Sequence, residues 1–271
     1  MSIKSMPVWK WILLLIVAFL LGLLMYGLSQ AAVDVVPANW LKWLVSVAVS
    51  AAMIGLYALF VRWFEKQPAK DVPPARLVAD TGKGFLIGML FFGAVVGVMA
   101  LTGLYKVTST GTDAPADIVS ALLMFISVGV GEEILFRGVL FRWIDEKWGF
   151  VAALVASSLL FGLMHIAQPG ATWWSSLAIA IEAGLLLGAA YKWSGTLWLP
   201  IGIHWSWNFF QGNVFGFAVS GGDAGASLLQ SQVQGPDILT GGPFGAEASI
   251  LTVILGAALS AWFIVQVVKS K

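Results

Sequence analysis

Residues 118–141 read IVSALLMFISVGVGEEILFRGVLF. Positions 118–131 carry no charge, but as a helix rising about 1.5 Å per residue they reach only about two-thirds of a ~30 Å hydrocarbon layer. A helix crossing here must therefore bury Glu132, Glu133 and Arg137, at about 2.5–3.5 kcal/mol each on an insertion scale. Glu133 and Arg137 stand at i and i+4, the spacing of an ion pair, while Glu132 points about 100° away. One carboxylate is thus neutralised locally and the other is left free, as a general base shielded from bulk water would be. The plain structural alternative is a charge-paired stitch or a face at the membrane boundary.

The rest of the chain fits a membrane reading. Its 271 residues are 59% hydrophobic and 11% charged, with a mean hydropathy of +0.89; soluble domains carry roughly 25% charged residues. Charge-free apolar runs at 12–28, 43–61, 84–105 and 250–268 are each long enough to span. Four more candidates, at 118–141, 149–167, 173–191 and 196–219, carry polar residues and are where chemistry can sit. The expectation is an all-α polytopic transmembrane helix bundle of about eight spans, one integral membrane domain over 1–271. Gly84, Gly88, Gly93 and Gly97, then Gly184 and Gly188, recur at the small-xxx-small spacing of close helix packing. The 14 tryptophans lie mostly near span ends, as interfacial anchors do.

An even number of spans puts both termini on one side, and the basic residues choose it. Lys4, Lys10, Arg62, Lys66, Lys70, Arg76, Lys83, Arg142, Lys147, Lys192, Lys269 and Lys271 fall on that side, against Lys42 and Lys106 opposite. The positive-inside rule makes the termini and the 62–83 linker cytoplasmic and the Gly-rich 220–248 segment an external loop. The first run has Lys4 and Lys10 ahead of it and Ser29-Gln30-Ala31 behind it, a signal-peptide outline, but its length favours an uncleaved anchor. A net charge of +1 without a basic cluster argues against nucleic-acid binding. The absence of cysteine removes disulfides, thiolate metal sites and a cysteine nucleophile.

Only two histidines occur, His165 and His204, both within apolar runs. If the fourth and fifth spans form an antiparallel hairpin turning near Trp148 and Gly149, Glu132 and His165 lie at one depth. Asn208 follows His204 at i+4 on the same helix face. A single cavity collecting Glu132, His165, His204 and Asn208 from three helices is the geometric expectation. Glu182 stands alone in the sixth span, either to join that cavity or to bond a neighbour such as Ser157 or Ser158.

Glu132-Glu133-Ile-Leu-Phe-Arg137 matches E-E-x-x-x-R, Phe161-Gly-Leu-Met-His165 matches F-x-x-x-H, and His204-Trp-Ser-Trp-Asn208 matches H-x-x-x-N. In this order, each in its own span, they resemble the CPBP family of intramembrane proteases, also called Abi or type II CAAX prenyl endopeptidases. The resemblance covers residues 118–215. It implies an endopeptidase in which Glu132 activates water with help from His165, while His204 and Asn208 bind the oxyanion. Arg137 would hold Glu133 and, with Phe161, shape the site. That mechanism requires no cofactor, yet Glu132, His165 and His204 also compose a catalytic zinc set with an open water position.

The implied partners are the lipid bilayer and a membrane-associated or lipidated protein or peptide, processed as a CAAX tail or in a related peptide maturation. Self-association stays open. Two other classes fit parts of the sequence: a non-catalytic scaffold or immunity protein binding a partner membrane protein, and an ion-coupled transporter. The transporter would call for two related halves with broken helices, and no internal repeat is visible.

Overall fold

The computed structural model describes residues 6–36, 38–111, 114–223 and 225–270. Seven helices are long and apolar enough to cross a membrane. They are α1 (Val8–Asp34) and α2 (Asn39–Trp63), α3 (Leu77–Leu101), α4 (Pro115–Trp148), α5 (Phe150–Ala167), α6 (Trp173–Ser194) and, after α7, α8 (Ile250–Lys269). The chain is an all-α polytopic membrane bundle, and its outer helices leave their apolar side chains exposed: Leu13, Leu20 and Leu28 on α1, Leu44 and Leu56 on α2, Val151 and Leu159 on α5.

The central helix α7 runs over 198–214, as an α-helix at Trp198–Phe209 and a π-helical turn at Phe210–Val214. It is buried along almost its whole length. Both of its ends are fixed against the ends of α3. At the start, the Leu197 amide donates to the Asp71 carbonyl at 2.7 Å and Trp198 Nε1 to the Pro73 carbonyl at 2.9 Å. At the far end, Tyr105 just beyond α3 donates its hydroxyl to the Phe215 carbonyl at 2.9 Å. α7 therefore runs parallel to α3 over the same depth of the bundle.

Glycine makes that contact close. A Cβ on Gly84 would strike the Leu199 carbonyl, and one on Gly88 the Ser206 hydroxyl. Gly93 and Gly97 have no neighbour within 4 Å of such a Cβ, so the small-residue pattern of α3 packs helices over its first half only. Gly184 and Gly188 do serve close packing, against Ser158 and Leu154 respectively.

The two ends of the bundle differ in chemistry. At one, Lys147 donates to the Met6 carbonyl at 2.8 Å, Trp11 meets Trp148 edge-on, Lys192 pairs with Asp145 at 2.6 Å and Trp193 packs on Trp262. Arg142 makes two 2.6 Å bonds to Glu65 there, and Arg76 donates to the Ser194 carbonyl. The first described residues and the last helical turn thus share this basic end. Lys4 and Lys271, also counted to it from sequence, lie outside the described residues. Lys42 and Lys106 sit at the opposite end, where Asn39 bonds Asp117.

Three expectations change. The basic linker is shorter than 62–83, because α3 starts at Leu77 and takes Asp80 and Lys83 into its first turns. The segment from 105 onward is not helical but forms β1 (Tyr105–Thr110), which pairs antiparallel with β2 (Leu229–Val233) from inside the 220–248 loop. The same loop contains a helical turn at Asp237–Thr240 and two short 3-10 turns, so it is an ordered cap over that end of the bundle.

Candidate active site

α4 delivers both glutamates at the junction where its α-helix gives way to a π-helical stretch, Ile134–Phe141. Wider π turns are common where function interrupts a helix. Glu133 is fully buried and its Oε1 accepts from Arg137 Nη1 at 2.8 Å, the i, i+4 pair read from the sequence. Arg137, also fully buried, donates through Nη2 to the Gly184 carbonyl at 3.2 Å and lies 4.7 Å from the Phe161 ring centre. A guanidinium that spans a carboxylate, a carbonyl and an aromatic face ties α4 to α5 and α6.

Glu132 points elsewhere, with 18% of its side chain exposed against none for Glu133. Its Oε1 accepts from the Tyr26 hydroxyl of α1 at 3.1 Å, and its Oε2 lies 3.8 Å from His204 Nε2. His204 Nδ1 is 2.8 Å from Glu133 Oε1. With Glu133 ionised, Nδ1–H is the donor, and the ring stands between the two carboxylates with Nε2 toward Glu132. That bridge was not anticipated from spacing.

His165 lies at the C-terminal end of α5, in a 3-10 turn over His165–Ala167, rather than within a continuous span. Its Nδ1 donates to the Phe161 carbonyl at 2.7 Å, which fixes the tautomer and frees Nε2. Phe161 packs on both histidines, at 4.9 Å from His165 and 6.1 Å from His204.

Glu132, His165, His204 and Asn208 all line one cavity of about 200 Å³. Its other walls are Met124, Phe125 and Val128 of α4, Gln168, and the turn containing Val219, Ser220, Gly222 and Asp223. The expected convergence of three helices is what the geometry shows. The cavity extends toward the β1–β2 end. On the basic side of Glu132, Leu135, Phe136 and Arg137 are buried, and beside them an apolar groove of about 170 Å³ between α1, α2 and α4 is lined by Tyr26, Gly131, Ile134 and Leu135.

Two further acids lie behind this cavity. Glu182, in a π-helical turn of α6, is fully buried, and neither carboxylate oxygen has a hydrogen-bond partner among the described residues. The bond to Ser157 or Ser158 allowed for in the sequence is not formed, and both hydroxyls are themselves without partners. The Glu182 backbone is instead pressed against Gly256 of α8. Glu182 and Glu247 share a pocket of about 20 Å³, room for one water, with His204, Asn208 and Ser220 on its wall. Glu247 accepts from the Ser220 amide and so anchors the turn that roofs the main cavity. Burial pushes its carboxyl up to about 7, against hydrogen bonds from Ser220 that act the other way. Sequence reasoning missed Glu247 because it stands in a Gly- and Pro-rich stretch that reads as solvent-exposed. It missed Tyr26 because one tyrosine in an apolar run looks like an interfacial anchor.

Among the described residues no three His, Asp or Glu side chains lie close enough together to hold a metal ion. Glu132, His165 and His204 share the cavity without forming a ligand cluster.

The membrane bundle thus holds a glutamate, two histidines and an asparagine around one polar cavity. Residues 114–210 match the family model described as type II CAAX prenyl endopeptidase Rce1-like. Over 107 residues the chain is 31% identical to "Putative membrane peptidase YdiL" of Bacillus subtilis (strain 168), an alignment covering 38% of this chain and 41% of that relative's length. No solved structure matches the chain. Residues 114–210, which hold Glu132, His165, His204 and Asn208, are thus similar to the Rce1-like type II CAAX prenyl endopeptidases.

Proposed function

We propose that this protein is an intramembrane endopeptidase acting on a membrane-associated protein or peptide. The observation that carries the reading is the shared cavity: Glu132, His165, His204 and Asn208 come from three helices and face one space. Glu132 takes a proton from a water held between it and His165 Nε2, and the resulting hydroxide attacks the scissile carbonyl. His204 carries its Nδ1 proton to Glu133, so a second proton on Nε2 lets it donate into the cavity beside the Asn208 amide. Those two donors stabilise the developing oxyanion. Glu132 then passes its proton to the leaving amine, which balances the hydrolysis. With Glu133 and Arg137 of opposite sign alongside Glu132 and a protonated His204, the buried cluster is close to neutral, which limits its desolvation cost.

The scheme routes no step through a metal: His204 Nδ1 is committed to Glu133, and its Nε2 faces Glu132 across the cavity. The basic end is the cytoplasmic one, so both termini are cytoplasmic in a multi-pass protein of the cell membrane. The test of the oxyanion assignment is Asn208→Ala. Its kcat falls about 100- to 1000-fold while KM and the thermal transition in detergent stay near wild type. A kcat within twofold of wild type would remove Asn208 from the mechanism.

A further inference from the structure

Of the residues that line the pocket shared by Glu182 and Glu247, all are buried except His165 and Ser220, and both of these also line the catalytic cavity. His204 and Asn208 line the two spaces as well. One wall, containing three of the four residues placed at the reaction, therefore divides a space of about 20 Å³ from one of about 200 Å³. On the far side of that wall stands a carboxyl that no side chain or backbone group satisfies. Glu182 is 0% exposed, and neither of its oxygens has a hydrogen-bond partner among the described residues. In either protonation state a buried carboxyl costs free energy unless it is hydrogen-bonded. The π-helical turn at Ala180–Leu185 and the close contact of its backbone with Gly256 hold it in place nonetheless. Glu247, buried on the same pocket, accepts from the Ser220 amide. Glu182 and Glu247 together supply the polar partners that a buried water needs, in a space that admits one.

We propose that this pocket binds a water molecule and supplies it to Glu132 while a peptide fills the main cavity. The proposal rests on the peptidase reading above and adds to it the place where the hydrolytic water is kept. Each turnover consumes one water, and a peptide whose scissile bond lies among Glu132, His165, His204 and Asn208 displaces water from the cavity it enters. A water behind the shared wall is not displaced. It passes His165, whose Nε2 is left free by the bond from Nδ1 to the Phe161 carbonyl, and reaches the position between that nitrogen and Glu132. The water moves intact, and no bond breaks until Glu132 takes its proton. Glu182 is then a positioning residue, meeting the water and not the peptide.

Glu182→Met keeps the length of the side chain and replaces the carboxyl by an apolar end. Removing an unpartnered buried carboxyl is expected to leave the unfolding temperature in detergent at or above the wild-type value, while kcat on a quenched-fluorescent peptide falls about tenfold with KM unchanged. Glu182→Gln, which still hydrogen-bonds a water, recovers most of that fall. The water itself is read by X-ray radiolytic labelling, in which hydroxyl radicals formed from a bound water modify the side chains beside it. Leu187 and Trp207 line the small pocket and not the main cavity, and are 1% and 3% exposed. Labelling of these two is expected in wild type and in Glu132→Gln, and is lost in Glu182→Met. Absence of labelling at both residues in wild type overturns the proposal, as does a Glu182→Met kcat equal to wild type. A lower unfolding temperature for Glu182→Met overturns it too, because the carboxyl is then a structural group. So does labelling or kcat that follows the sodium or potassium concentration, since the occupant is then a cation. The expected labelling in a wild-type protein that cleaves no peptide overturns the peptidase reading and with it the supply role.

Discussion

The Tyr26 hydroxyl donates to Glu132 Oε1 at 3.1 Å, joining α1 to α4 across 106 residues of sequence. α1 otherwise packs sparingly, and one turn further on Gln30 reaches Ser127 at 3.4 Å. Gly131 makes the approach feasible, since a Cβ there would collide with the Tyr26 ring. A helix that enters the site with a single hydroxyl on the proposed base acts by holding that carboxylate's orientation.

Tyr26→Phe removes the donor and keeps the ring. A hydrogen bond to a charged group is worth about 1.5–3 kcal/mol, so kcat is expected to fall about tenfold or more with KM unchanged. Steady-state kinetics on one peptide substrate measure this. A kcat equal to wild type would mean that the tyrosine only packs.

Arg137→Ala leaves Glu133 buried without its cation and also strips a donor from the Gly184 carbonyl. Breaking a buried pair on one side costs about 3–5 kcal/mol. The expected outcome is a markedly lower unfolding temperature in detergent and a lower membrane abundance. Arg137→Lys recovers only part of the loss, because an ammonium cannot reproduce the guanidinium's fork. An unchanged thermal transition for the alanine variant would contradict the role given to the pair.

Glu247 gives a pH dependence of definite sign. Its carboxyl in the folded protein sits at about 7, above the ordinary value of 4.5, because it is buried. Between those values the unfolded chain has lost the proton and the folded one has kept it. Its contribution to stability is therefore complete below pH 4.5 and is lost as the pH rises toward about 7. Glu247→Gln abolishes this part of the pH dependence, measured as the unfolding temperature from pH 4.5 to pH 8. A variant whose curve keeps the wild-type slope in that window would assign the slope to other groups.

Much of the fold is legible in the sequence, because lipid leaves few options: apolar length gives the spans, and the basic residues sort the two ends. The four cavity residues are legible for a related reason, since a glutamate, two histidines and an asparagine inside apolar runs are costly to keep without a task. What eluded the reading is non-local or irregular. The strand from Tyr105 to Thr110 finds its partner more than 110 residues later, and a short polar strand shows no pattern that announces such a pairing. The π turns beside Glu133, at Glu182 and after Asn208 come from packing rather than periodicity. They shift the faces that a regular helix would present. The His204 bridge to Glu133 follows from how deep α7 sits against α4, a tertiary distance that no spacing encodes.

The central claim is that Glu132 activates water in a metal-free intramembrane site. Its most direct test compares wild-type and Glu132→Gln protein, purified in detergent, on a quenched-fluorescent peptide panel with and without a strong chelator. The account predicts cleavage by wild type that survives the chelator, and none by Glu132→Gln although the variant stays folded by its thermal transition. Cleavage retained by Glu132→Gln, or wild-type activity lost to the chelator and restored by zinc, would contradict it.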